Sequence, residues 1–359
     1  VLALVTGVLM SGTWVGAQAV HAAFFGPTHP ESAVVLEDMD EAAWVWTGGV
    51  DAGNATIVAG GLDDDEELIL WLAADGEAPA GVPITAGDNG IARHSWADLE
   101  PSTTYRYVIG EAGQRPPQAF DGSFTTFADG PQDLVVVFGS CARTGSNGAV
   151  FDAMAGEDPD LYIGVGDLHY SNLSSAAPSD HMAEYHRMLV QPAQAQLFRT
   201  TPFAYVWDDH DFGPNDADST SPSRLAVSLA YRRAVPAYDV DPDPESSIAQ
   251  AFSLGRVRFV MTDTRSMRTD ATMLGEAQER WLIDELTTSS QTHALIVWVN
   301  PTPWIANDGG AGADDWSAYP EERRRIADAI AGAGIENLVM VSGDAHMVAI
   351  DDGTNTDFS

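Results

Sequence analysis

In four places along this chain a short apolar run ends in a loop crowded with metal-ligand side chains. The loops are Phe138-Gly-Ser-Cys-Ala-Arg143, Gly166-Asp-Leu-His-Tyr170, Trp207-Asp-Asp-His-Asp-Phe-Gly-Pro-Asn-Asp216 and Ser342-Gly-Asp-Ala-His346. The runs that lead into them, 134–138, 161–165, 203–207 and 338–341, have the length and the branched or aromatic content of buried strands. Open α/β sheets bind ligands outside the carboxyl ends of their strands. Four such loops meeting at one edge would gather a thiolate, a phenolate, several carboxylates, an amide and an imidazole. That donor set suffices for two metal ions.

The 359 residues exceed one ordinary domain and suit two. A formal net charge of -36 argues against any nucleic-acid-binding surface. All 17 basic residues are arginine, and the balance reads as that of a strongly acidic, salt-adapted proteome. The single cysteine, Cys141, cannot form an intramolecular disulfide. A lone cysteine is usually a small buried hydrophobe, but its place in a Gly-Ser-Cys turn at a strand end points to chemistry.

The chain opens Val1-Leu-Ala-Leu-Val-Thr-Gly-Val-Leu-Met10 and continues with small residues, including Ala17-Gln-Ala19 and Val20-His-Ala22. Residues 1–25 therefore read as the apolar and cleavage regions of an export signal, shortened at its start because neither a Met nor a basic segment precedes it. A single membrane anchor is the alternative, for which the clean apolar run is short. The expected location is periplasmic or extracellular. The chain stops soon after its last motif, so a shortened C-terminal end is expected as well.

Residues 31–128 read as all-β, with short strand-like runs at 42–47, 55–59, 68–72 and 105–109 split by Gly, Asp and Pro clusters. Leu99-Glu-Pro-Ser-Thr-Thr-Tyr-Arg-Tyr107 resembles the L-x-P-x-T-x-Y-x-Y pattern of fibronectin III-like sandwiches, and 122–127 resembles the last strand of such a module. The acidic run 63–67 reads as a solvated hairpin loop. A linker, 128–133, follows. Within 134–359, strands at 257–262 and 294–299 alternate with helical patterns at 148–156, 179–190, 224–235, 275–286 and 321–331, which predicts a layered α/β domain.

The chemistry follows from the strand ends. Gly166 permits a sharp turn, and Asp167 beyond it can bridge two cations, one through each oxygen. Tyr170 can fold back to the same point. A phenol ligates a hard trivalent ion only as phenolate, which points to Fe3+. Alone, G-D-x-x-Y is a weak signal, equally served by a turn Asp and a packed Tyr. Asp208 and Asn215 are hard oxygen donors suited to Ca2+ or Mg2+, and Ca2+ tolerates irregular geometry better. Asp344 and His346, at alternate positions, can reach neighbouring ions, and a Cys141 thiol beside a metal would be deprotonated.

Taken in order behind a small β-sandwich, the Cys loop, G-D-x-x-Y, W-D-D-H…N and S-G-D-x-H resemble the PhoD-like alkaline phosphatases. These belong to the calcineurin-like metallophosphoesterases and are related to the purple acid phosphatases, which share G-D-x-x-Y. Asp263-Thr-Arg265 also resembles a family segment. The resemblance implies an N-terminal immunoglobulin- or fibronectin III-like β-sandwich followed by a layered α/β/β/α metallophosphoesterase domain. It implies Fe3+ held by Cys141, Tyr170 and His346, Ca2+ held by Asp208, Asn215 and Asp344, Asp167 bridging them, and further Ca2+ at unmarked positions. The implied activity is hydrolysis of small-molecule phosphate mono- and diesters by an exported enzyme of phosphate acquisition, through in-line attack of a metal-bound hydroxide.

His210 would then hydrogen-bond substrate or protonate the leaving group, or else orient Asp208. Arg143 would hold a phosphate oxygen, or else form a surface ion pair. Other metallophosphoesterases bring a His from the strand at 294–299, where this chain has Asn300-Pro-Thr-Pro, leaving Asn300 a supporting role at most. Arg265 is expected to pair with Asp263 or another acid, and Asp209 and Asp211 to support their loop. Two rival readings are a specialised phosphodiesterase of phospholipase D type and a non-catalytic Ca2+-binding surface module, which would need neither Cys141 nor Tyr170. No stable protein partner is implied, and a monomer is expected.

The charge balance generates a first prediction. Raising salt to about 1 M shortens the Debye length to about 3 Å, so the melting temperature should rise. An unchanged or lower value would show that self-repulsion does not limit stability.

Overall fold

The computed structural model describes residues 43–87, 89–111, 121–305 and 313–358. The leader or anchor read at 1–25 and the start of the sandwich segment lie outside the described residues.

Ahead of the linker the described strands are β1 (Trp44–Gly48), β2 (Ala55–Gly60), β3 (Glu67–Ala74), β4 (Ala80–Thr85), β5 (Ile91–Trp96), β6 (Thr104–Glu111) and β7 (Gly122–Thr125). They pair in two antiparallel layers, β5-β2-β1 and β4-β3-β6-β7. Alternation along β3 sends Leu68, Leu70 and Leu72 inward, as the two-residue period of a strand requires. Tyr105 returns its hydroxyl to accept from the Glu100 backbone N–H at 2.9 Å, the tyrosine corner of immunoglobulin-like sandwiches. The acidic segment 63–66 is an exposed turn, but it crosses from one layer to the other instead of closing a hairpin.

The second part begins with three parallel strands, β8 (Val136–Gly139), β9 (Leu161–Val165) and β10 (Phe203–Val206). Another sheet holds β11 (Gln250–Leu254), β12 (Val257–Met261), β13 (Leu295–Val299) and β14 (Leu338–Val341), the last three parallel. The helices are α1 (Ala149–Gly156), α2 (Pro178–Leu189), α3 (Pro192–Thr200), the one-turn α4 (Asp209–Phe212), α5 (Arg224–Ala234), α6 (Gly275–Thr292) and α7 (Pro320–Ala333). Strand alternation sorts β12 and β13 between two cores. Phe259, Met261, Val297 and Val299 face the β8–β10 sheet. Val260, Ile296 and Trp298 face the opposite way, packed with Leu282 and Leu286 of α6 and Ile326 and Ile330 of α7. The layers are thus α/β/β/α, with a sheet buried on both faces. Helix α3 has no counterpart in the sequence reading. Its nine residues bury only Gln194, Leu197 and Phe198, too few to mark a period, although Pro192 at its first turn is a start signal.

One strand pairing joins the two parts. β1 pairs in parallel with β10, so a single sheet runs β5-β2-β1-β10-β9-β8. The crossing point is Gly48 opposite Phe203. A Cβ there would lie 2.4 Å from the carbonyl oxygens of both Phe203 and Pro236. Gly48→Ala should therefore lower unfolding stability by about 1–3 kcal/mol, the usual cost of overpacking a tight site, measured by urea denaturation. An unchanged midpoint would show that the junction relaxes freely.

Candidate metal centre

β8, β9, β10 and β14 deliver the four motif loops to one edge, and backbone contacts lock them there. Cys141 N–H donates to the Gly166 carbonyl at 3.3 Å, and Ala142 N–H to that of Asp167 at 2.8 Å. Two glycines permit the close approach. A Cβ on Gly166 would lie 2.5 Å from Cβ of Asp208, and one on Gly343 would lie 2.4 Å from the Val165 carbonyl oxygen. Cys141, Asp167, Asp344 and His346 all have left-handed backbones, with φ of 57°, 54°, 60° and 49°. Such strain in non-glycine residues persists only where surrounding structure holds it, commonly at functional sites.

Four overlapping donor groups result among the described residues; Asp167, Asp209 and His210 form one, Asp209, Asp216 and Asp314 another, and the remaining two hold most of the residues singled out in sequence. In one, ligand atoms of Cys141, Asp167 and His346 lie within 4.8 Å of one another. The Tyr170 hydroxyl is 2.6 Å from His346 Nε2 and interacts with Cys141 and Asp167. In the other, Asp167, Asp208, Asp209 and Asp344 lie within the same limit. Asp167 belongs to both. Seven of the residues singled out in sequence are placed as follows: Cys141, Asp167, Tyr170 and His346 together, Asp208 and Asp344 together, and Asn215 exposed in the turn after α4. Asp209 takes a place beside Asp208 that the sequence reading did not give it. Its adjacency in W-D-D-H was the available signal.

Asp167 is buried, and neither of its oxygens has a hydrogen-bond donor; Asp208 Oδ2 is likewise without one. Orphaned buried carboxylate oxygens are costly unless a cation meets them. The donor set of thiol, phenol, imidazole and carboxylates therefore fits metal ions. Asp208 Oδ1 is already engaged, accepting from Arg265 Nε at 2.5 Å. Arg265 is fully buried and forks onto Asp314 at 2.8 and 3.0 Å, and Arg268 also pairs with Asp314. The expected Asp263 contact is to the Arg265 backbone N–H, at 3.0 Å. Asp314 had no legible signal; it sits in a loop remote from every motif. Nor did Asn172, whose Oδ1 lies 2.6 Å from His210 Nδ1 while its Nδ2 donates to the Tyr170 carbonyl. The Asn300 amide is used by Trp316 Nε1 and the Thr302 carbonyl.

The electrostatics agree. Burial, then Asp208, Asp211 and Asp209, push the Asp167 carboxyl up to about 9. Burial and Asp208 raise Asp344 to about 7, and burial lifts Asp208 to about 6 against the pull of Arg265. Burial pushes the Cys141 thiol up to about 12 and the Tyr170 phenol higher than its usual value, with Asp167 adding to the shift. Burial also raises Asp314, but Arg265 and Arg268 outweigh it and hold the group at about 2. Without cations the cluster retains protons. Bound cations would replace those protons and favour the thiolate and phenolate.

Comparisons with known proteins point the same way. The family model described as PhoD-like phosphatase matches residues 135–358, more than half of the chain. Alkaline phosphatase D of Bacillus subtilis (strain 168) is 22% identical over 308 residues, covering 70% of this chain and 53% of that protein. The chain thus spans about half the length of that relative. Among solved structures, one titled as the structure of PhoD superposes with a TM-score of 0.74 at 18% identity, covering 86% of this chain and 73% of its own. A purple acid phosphatase from yellow lupin (Lupinus luteus) seeds superposes with a TM-score of 0.61 at 12% identity, covering 86% and 59%.

The raised carboxyls set a pH dependence. Each folded value lies above the ordinary aspartate value of 3.8, so between about 4 and about 9 these three carboxyls bind more protons in the folded chain than in the unfolded one. Their contribution to stability then falls as pH rises, while the imidazoles of His169, His181, His186 and His210, shifted down by burial, contribute the opposite slope. In chelator, the slope of melting temperature from pH 5 to pH 8 should be less negative in Asp167→Asn than in wild type. A slope that the variant leaves unchanged would show that the cluster does not carry it.

Proposed function

The chain belongs to the PhoD-like phosphatase family, and on that premise we propose that it is an exported, metal-dependent hydrolase of small-molecule phosphate mono- and diesters that serves phosphate acquisition. The observation that carries the reading is Asp167, buried with both oxygens free between the two donor groups. Cys141, Tyr170 and His346 would hold Fe3+, Asp208, Asn215 and Asp344 would hold Ca2+, and Asp167 would serve both. When bound, the cations would activate water and draw charge from the phosphoryl oxygens. The division proposed is a sandwich domain at 31–128 and a catalytic domain at 134–359. Export rests on the apolar start of the chain; among the described residues no helix is long and apolar enough to cross a membrane.

The chain's own residues complete the site. Asn172 accepts from His210 Nδ1, since its Nδ2 already points at the Tyr170 carbonyl. His210 Nε2, 4.0 Å from Asp209 Oδ1, is left to face substrate or the leaving-group oxygen. Burial lowers the His210 pKa and favours the neutral ring, in which Nε2 is an acceptor; a proton can pass from it to that oxygen as the ester bond breaks only from the imidazolium. Arg143 is half-buried and its guanidinium forms no ion pair among the described residues, so it is available to a non-bridging phosphate oxygen.

Elemental analysis with a visible spectrum tests the metal assignment. Iron with calcium, and a phenolate-to-Fe3+ band lost in Tyr170→Phe, is the expected result; calcium without iron or colour would favour a non-catalytic binding module. Asp167→Ala should fold and lose at least ~100-fold in turnover of mono- and diester reporters, the scale of losing one transition-state electrostatic contact. Full retained activity would remove Asp167 from the site, and turnover confined to diesters would replace the monoesterase reading with the specialised phosphodiesterase.

A further inference from the structure

The register of β9 and β10 ends at Val165 opposite Val206. Beyond that rung Gly166 still lies against Asp208, and the two backbones run on into the loops that carry Asp167 with Tyr170 and Asp208 with His210. Gly166 and Asp167 both turn left-handed there, so the ladder cannot continue. Asp211, in the single turn of α4, joins the two loops past the end of the ladder. Its Oδ1 accepts the His169 backbone N–H at 3.0 Å, and its Oδ2 accepts the Asp208 backbone N–H at 3.2 Å. His169 lies between Asp167 and Tyr170, and Asp208 is itself in the second donor group. One carboxylate therefore takes one N–H from each loop.

We propose that Asp211 is the positioning residue that fixes the spacing between the two halves of the cation site, by strapping the 166–170 and 207–210 loops together through its two oxygens. The inference rests on the metal-dependent reading above and extends it to a residue outside the donor groups. A carboxylate is needed there because each oxygen must accept from a different loop. An amide of the same shape supplies one acceptor and turns its NH2 toward the other N–H, donor against donor. Asp211 is 2% exposed and stands close to a cluster of acids. A buried charge in that company works against stability, so its presence is not explained by packing. Position also matters. Asp211 is the third residue after Asp208, the place in a capping box where a carboxylate reaches back to the cap N–H, and glutamate is the usual occupant. Glutamate at 211 keeps the capping contact and carries a second acceptor oxygen for the other loop.

The test is calorimetric titration of Ca2+ into the chelator-stripped full chain, for wild type, Asp211→Asn and Asp211→Glu, with metal-free melting curves recorded alongside. The expected result is that Asp211→Asn still melts cooperatively but binds Ca2+ about 10–100-fold more weakly, the usual cost of losing a partner behind a metal ligand. Asp211→Glu should recover most of the affinity. Equal affinity in Asp211→Asn and wild type overturns the proposal, and so does an Asp211→Glu protein that folds yet binds as weakly as Asp211→Asn. Should Asp211→Asn fail to fold, Asp211→Glu decides: near wild-type affinity supports the strap, and weakened affinity overturns it. A wild-type chain that takes up no Ca2+ would sink the metal reading and this inference together, whereas unchanged binding in the variants would sink the strap alone.

Discussion

Mutual repulsion among buried carboxylates is the constraint that the rest of the structure answers to. Asp167, Asp208, Asp209 and Asp344 present oxygens within 4.8 Å of one another. Two unit charges about 4 Å apart repel by about 4 kcal/mol at an effective dielectric of about 20, a large fraction of the roughly 5–15 kcal/mol that holds a domain folded. The loops are therefore held by contacts outside those four acids as well. Gly343 N–H donates to the Pro301 carbonyl at 2.8 Å. Asp263 is a hub: its two oxygens accept from Trp207 Nε1, the backbone N–H groups of Arg265, Ser266 and Ile248, and the Ser266 hydroxyl. It ties the end of β10 to the segment after β12 and leaves the acids nearby free to face a cation.

Arg265 offsets part of the repulsion permanently. Guanidinium keeps its charge at that depth more readily than a lysine ammonium would, and this chain uses arginine for every basic side chain. By occupying Asp208 Oδ1, Arg265 leaves Oδ2 as the one oxygen turned toward the cluster. Asp314 and Arg268 close the charge balance behind it. The net field of the whole molecule would repel an anionic ester, so attraction at the mouth has to come from charges within it.

Much of this was legible in the sequence because strand ends announce themselves. Leu161–Val165 and Leu338–Val341 are strands at the boundaries their apolar runs predict, and Gly166 and Gly343 mark where a side chain would collide. Donors carried by those motifs could be listed from their types alone. Asp314, Asn172 and the contact from Arg265 to Asp208 could not, because each depends on which loops meet in space, and no local period or composition encodes that. Asn215 illustrates the converse: its type and spacing point to the site, while its exposed turn is set by how α4 ends. The β1–β10 pairing was hidden for a similar reason, since a change of composition at 128–133 says nothing about which edge strands will find each other.

That pairing gives the sandwich a bearing on the chemistry. β10 carries Trp207 and Asp208 at its end, and its Phe203 lies against Gly48 of β1. The joint is braced elsewhere: Trp46 Nε1 donates to the Ala234 carbonyl at 2.7 Å, Arg93 Nη1 to that of Val235 at 2.8 Å, and the Tyr107 hydroxyl to that of Arg199 at 2.9 Å. Trp46 also packs on Tyr185, Phe198 and Phe203. Interiors packed at crystal-like density transmit displacement instead of absorbing it. A shift of the sandwich would therefore move β10, and with it the strand end from which Asp208 reaches the cluster.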